Sequence, residues 1–136
     1  MAFRLSKLNK YNDWLYLLAR LLVGVMIGVH GLQKFGLFGG PGLQGFADFA
    51  GVAVWLAALQ GLLELLAGLS LVLGLWPKVG AAFGVVAMLA ALVIGHFPKG
   101  PNPFTNGGEL ALVYLAAFLM FWVCGARKLS VDAKLK

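Results

Sequence analysis

Long apolar runs, interrupted only by isolated polar side chains, dominate this chain and restrict it to very few architectures. A bilayer hydrocarbon core about 30 Å thick needs roughly 20 apolar residues per helix, and lipid-exposed backbone satisfies its own hydrogen bonds only in helices or closed barrels. Four runs approach that length, at about 14–32, 54–76, 79–96 and 109–124, the last two barely. Only Pro77 and Lys78 separate the second from the third, which makes those two an antiparallel hairpin. The expectation is a single membrane domain over 1–136: an all-α integral membrane four-helix bundle. The first run follows a basic leader, but it is long, carries Arg20 and lacks an Ala-x-Ala site, so it is expected to stay attached rather than to be removed as a signal peptide.

Composition excludes the soluble alternatives. The 136 residues are 61% hydrophobic and 12% charged, against about 25% charged in an ordinary soluble domain. The net charge of +6 could suggest nucleic acid, but the basic residues gather at the two ends, with no basic stripe among exposed aromatics. The expected partner is therefore the lipid bilayer with its anionic headgroups, not nucleic acid. The single cysteine, Cys124, permits no intrachain disulfide.

Arg4, Lys7, Lys10, Lys78, Arg127, Lys128, Lys134 and Lys136 fall on the side of the termini, and only Lys34 and Lys99 on the other. The positive-inside rule then makes both termini cytoplasmic, in a multi-pass protein of the bacterial inner membrane. Between the first two spans, Leu43, Phe46 and Phe49 recur at helical spacing, the pattern of a short interfacial helix. The other external loop contains Pro98, Pro101 and Pro103 and is expected to be stiff and irregular. Trp14, Trp76 and Trp122 read as interface anchors.

Small residues supply close helix contacts in lipid. Gly24, Gly28 and Gly31 line one face of the first span, Gly80, Gly84, Ala87, Ala91 and Gly95 a stripe of the third, and Gln60, Glu64 and Gly68 a narrow face of the second. Ionisable groups on such faces are costly and informative. Arg20 shares the face of Gly24 and Gly28, and Glu64 is its natural partner in a buried charge pair. Counted from the span ends, Arg20 lies ~9 Å deep and Glu64 ~18 Å, a gap a long arginine can cover. The pair could simply fix helix register, Glu64 could be protonated and bonded to Gln60, or it could be a proton-exchanging, ligand-binding carboxylate.

A second cluster gathers near the external ends of the spans: His30, Gln33, Lys34, Gln60, His96 and Glu109. Each has a plain explanation, since Lys34 can snorkel, His96 can cap its helix, and Asn106 with Glu109 has the form of a capping pair. Together they could form a polar pocket for a quinone-like headgroup. Neither metal nor haem is expected, because His30 and His96 lack a close His-x-His or HExxH arrangement and nothing in the spacing requires a bis-histidine site.

The segments LARLLVGVMIGVHGLQKFG, LQGLLELLAGLSLVLGLWPKVGA and NGGELALVYLAAFLMFWVCGARKLSVD, in this order, resemble the DoxX family of small bacterial membrane proteins over roughly residues 14–132. The motifs that carry the likeness are His30 to Lys34 (HGxQK), Glu64 with Gly68, and the Gly-Glu start of the fourth span. The resemblance implies a four-helix inner-membrane bundle, quinone-linked oxidation of sulfur compounds or redox-stress assemblies, and a separate soluble redox partner protein; it carries over no catalytic residue. The expected function is a membrane subunit of an oxidoreductase system that binds a small hydrophobic redox substrate and is not a self-sufficient enzyme. A membrane scaffold, or a small-solute or proton transporter working as a homo-oligomer, is the alternative.

Overall fold

The structure, a computed structural model, describes residues 10–135; Arg4 and Lys7 of the basic leader and Lys136 lie outside them. The chain forms α1 (Asn12–Lys34), α2 (Gly42–Ala50), α3 (Val54–Leu73), α4 (Pro77–Ala90), α5 (Pro103–Asn106), α6 (Glu109–Cys124) and α7 (Val131–Lys134), with no strand among the described residues. Beyond Ala90, α4 continues as a π-helical turn, Ala91–His96, and a 3-10 turn, Phe97–Lys99. At 1.5 Å per residue, α1 and extended α4 reach ~34 Å and α3 ~30 Å, each long and apolar enough to cross a membrane, whereas the 16 residues of α6 reach ~24 Å.

Local chemistry sets the helix ends. α1 extends beyond 14–32 at both ends, while α3 stops at Leu73 instead of 76 because Gly74 turns left-handed (φ 66°) and donates its N–H to the Ser70 carbonyl at 2.9 Å. Trp76 also has positive φ, 46°, an uncommon and strained conformation for a bulky side chain. A residue from the far end of the chain holds it there: the Trp76 N–H donates to both carboxylate oxygens of Asp132, at 3.1 and 3.2 Å. Pro77 then opens α4, where its missing N–H and fixed φ suit the first turn.

Glycine controls how closely the helices approach. A Cβ on Gly31 would lie 2.7 Å from the Gly61 carbonyl oxygen, and one on Gly68 2.6 Å from that of Gly24, so α1 and α3 are in backbone contact along most of their length. Gly80 of α4 receives the Ser70 side chain, and Gly84 lies under the ring of Phe118 on α6. Between them, Ile27, Leu71, Met88, Leu92, Phe118 and Phe121 form the core. α1 and α6 touch more sparsely, through edge-to-face rings: Tyr16 with Phe121 (centroids 5.6 Å apart) and His30 with Tyr114 (6.0 Å). Large apolar side chains on the outer faces, among them Leu18, Leu22, Leu69, Val93 and Val123, are exposed, as lipid contact requires.

A cavity around a buried ion pair

At the end opposite the termini, α1, α3, α4 and α6 diverge around a cavity of about 410 Å³, roofed by Phe46 and Phe49 of α2. Leu59, Val86 and Ile94, and Leu110 on α6, are exposed residues of its lining; the first three border a side opening between α3 and α4.

The strongest electrostatic feature in its wall is not the pair that residue counting suggests. Lys34, 6% exposed, donates from Nζ to Oε2 of Glu64, 3% exposed, at 2.6 Å. The other carboxylate oxygen, Oε1, accepts from Gln60 Nε2 at 2.9 Å, and the same amide nitrogen donates to the Ala87 carbonyl of α4 at 2.9 Å. The Lys34 ammonium also lies 4.4 Å from the centroid of the Phe46 ring, a cation–π contact strengthened by exclusion of water. Lys34 therefore does not snorkel; it is enclosed by three helices.

Arg20 is buried as expected, 1% exposed, but its partner is not Glu64. Gly31 packs against Gly61 and Glu64, and Gly24 against Gly68 and Val72, which fixes the register of α1 on α3 and puts Glu64 level with Gly31. Arg20 is eleven residues, or ~16 Å, further along α1. There it donates through Nη1 to the Ala126 carbonyl (2.9 Å) and through Nη2 to the Leu129 carbonyl (2.6 Å). Tyr16 donates to the Gly125 carbonyl at 2.5 Å, and Arg127 packs over the Tyr16 ring. These bonds fasten the segment after α6 back onto α1.

His30, Lys34, Gln60 and His96 all line the cavity; Gln33 and Glu109 do not. The backbone of Gln33 carries the turn after α1, its carbonyl accepting from the Gly36 N–H. Glu109 is exposed in the first turn of α6, where its charge suits the helix dipole. Asn106 does not cap α6 with it, since the N-cap is Gly108. Asn106 instead accepts from the Gly108 N–H and donates to the Gly100 carbonyl, both at 2.7 Å. The π turn presents His96 to this knot, Nδ1 lying 3.1 Å from the Asn106 carbonyl. Among the described residues no three His, Cys, Asp or Glu side chains are grouped to hold a metal ion.

Tyr114 is the polar lining residue that the sequence reading missed. It is 6% exposed, stands edge-on to His30, and stacks on Phe118 at 6.3 Å. The available signal was a lone tyrosine in the middle of α6, away from the interfacial positions tyrosine favours.

The fold and cavity define an all-α, multi-pass membrane protein that buries a lysine–glutamate pair beside a space large enough for a small molecule. The chain belongs to the DoxX family, whose model matches residues 15–97. It is 30% identical to a protein of Haemophilus influenzae described only as uncharacterized, over 96% of this chain and 97% of that one. It is 25% identical to a Bacillus subtilis protein named "Putative oxidoreductase CatD", over 92% of this chain and 90% of that one. No solved structure matches it.

Proposed function

We propose that this protein is a membrane component of a redox system in the bacterial inner membrane, with cytoplasmic termini, and that it binds a small, lipid-soluble, quinone-like substrate in the cavity. The observation that carries this reading is the cavity itself: about 410 Å³, within the range of small-molecule sites, apolar over most of its wall, with polar groups collected on His30, Lys34, Gln60, Glu64 and His96. Quinol chemistry couples electrons to protons, so it suits an apolar slot with a few hydrogen-bonding groups. The oxidoreductase name of the Bacillus subtilis relative supports the same direction. Electrons would reach or leave the substrate through a separate partner protein. Gln33 and Glu109 have no part in this site, and Arg20 acts at the other end of the bundle.

The test is quinone-dependent turnover by membranes of the native host carrying His30→Ala or Glu64→Gln, with the amount of inserted protein measured in parallel. Loss of turnover per inserted protein is expected in both, Glu64→Gln also losing stability because it leaves the buried Lys34 ammonium without its carboxylate. Unchanged turnover in both would sink the reading.

A scaffold role draws on a different observation: Lys34 and Glu64 saturate one another, and Arg20 is bonded to backbone carbonyls. A scaffold would tolerate His30→Ala, and would lose stability rather than turnover in Glu64→Gln. A transporter would move protons or a solute across liposomes and lose that flux in Glu64→Gln.

A further inference from the structure

The polar groups in the cavity divide into two sets. Lys34, Glu64 and the Gln60 amide nitrogen are bonded to one another. By contrast, the Tyr114 hydroxyl and the His30 ring nitrogens form no hydrogen bond among the described residues; Tyr114 is 6% exposed, His30 is half-buried, and both line the cavity. The two rings stand 6.0 Å apart on helices that otherwise meet sparsely. Among the described residues the one fully enclosed side-chain atom without a partner is Nε of Arg20, at the other end of the bundle; the Tyr114 and His30 atoms instead open onto the cavity, where polar groups on a mostly apolar wall call for a partner from within it.

Resting on the function proposed above, we propose that Tyr114 and His30 are the groups that recognise the ligand. The ligand is a neutral, ring-headed, lipid-soluble molecule whose carbonyl or hydroxyl oxygen bonds to them, and it arrives from the bilayer through the opening beside Leu59, Val86 and Ile94. Neutrality is argued from the one ion pair in the wall: its ammonium and carboxylate are bonded to each other at 2.6 Å, so neither is left over to answer an ionic ligand. The route follows from the roof, because Phe46 and Phe49 cover the side facing water while the three aliphatic rim residues are exposed toward lipid. A tyrosine hydroxyl can both donate and accept, and an imidazole has two ring nitrogens for hydrogen bonding, so the site accommodates either a ring carbonyl or a ring hydroxyl.

The full chain in lipid nanodiscs is labelled with a photoactivatable azidobenzoquinone, the modified peptides are located by mass spectrometry, and duroquinone is used as competitor. Label is expected on α3 and α4 around the cavity, with competition by duroquinone but not by a sulfonated, membrane-impermeant naphthoquinone. Tyr114→Phe keeps both ring contacts and loses only the hydroxyl, so its fold is safe; it should weaken competition about five-fold, the share of one hydrogen bond. His30→Leu should do the same, and His30→Gln should recover part of the loss. Cavity labelling that both variants leave unchanged overturns this inference while the function reading stands. Absence of competable cavity label in the wild-type protein overturns both, and equal competition by the sulfonate overturns neutrality and the lipid route.

Discussion

A carboxylate 3% exposed inside a lipid-surrounded bundle must be neutralised by protonation or by a bonded cation. Glu64 has the second solution, with Gln60 on its other oxygen. Removing only the cation strands the carboxylate: Lys34→Met should cost about 3–5 kcal/mol, and Lys34→Met combined with Glu64→Gln should recover most of it, as read by unfolding in mixed detergent–SDS micelles. A double variant no more stable than the single one would mean that the pair contributes little to Glu64. Two glycines on one interface should also part company. Gly68→Ala places a methyl 2.6 Å from the Gly24 carbonyl and should lose ~1–3 kcal/mol, whereas Gly28→Ala meets only the Gly68 Cα at 3.9 Å and should stay within ~0.5 kcal/mol of the wild type. At this scale the sequence identified which residues are buried better than whom they touch. Arg20 and Glu64 stood out because charge in an apolar run is conspicuous; the carbonyls of Ala126 and Leu129 that satisfy Arg20 have no side-chain signature at all.

Among the elements, the segment after α6 depends on a few long-range bonds. Arg20, Tyr16 and Asp132 attach it to α1 and to the turn before α4. Arg20→Met should leave the bundle intact but speed amide hydrogen exchange across residues 125–134 by ten-fold or more, since two charge-assisted hydrogen bonds of about 1.5–3 kcal/mol each are lost. Exchange confined to its wild-type rate would assign the segment's order to Asp132 and Tyr16. Helix existence was readable from apolar run length, and α2 from the spacing of Leu43, Phe46 and Phe49. Helix ends were not, because Gly74 and the π turn at Ala91–His96 act through backbone conformation. Register failed for a related reason: depth counted from assumed span ends put Arg20 near Glu64, but register is set by which glycines admit a neighbouring backbone.

For the whole molecule, the distribution of basic residues makes a prediction about sidedness. In a Cys124→Ala background, Asn102→Cys should react with a membrane-impermeant maleimide added to intact spheroplasts, and Lys134→Cys only after permeabilisation. The reverse pattern would place the termini outside. The general architecture was open to reading because lipid removes most alternatives; the cavity was only half so. His30, Lys34, Gln60 and His96 were found by their chemistry, but Tyr114 was hidden in the most uniformly apolar helix, and Gln33 and Glu109 were included only for lying at similar depth.

The shortness of α6 ties the cavity to the surrounding lipid. As a spanning element it covers ~24 Å of a hydrocarbon layer about 30 Å thick, so the leaflets beside it must thin, or the bundle must settle unevenly, at a cost of fractions of a kcal/mol per Å. Its companions fill the full thickness; glycine contacts weld α1 to α3, while α6 is seated on α4 through Phe118 over Gly84 and meets α1 only sparsely, so α6 moves with α4 as the staff of a gauge immersed in the bilayer. Acyl-chain length would then tilt or slide Tyr114 relative to His30, making ligand affinity in nanodiscs of C14 and C18 lipids a readout of membrane thickness.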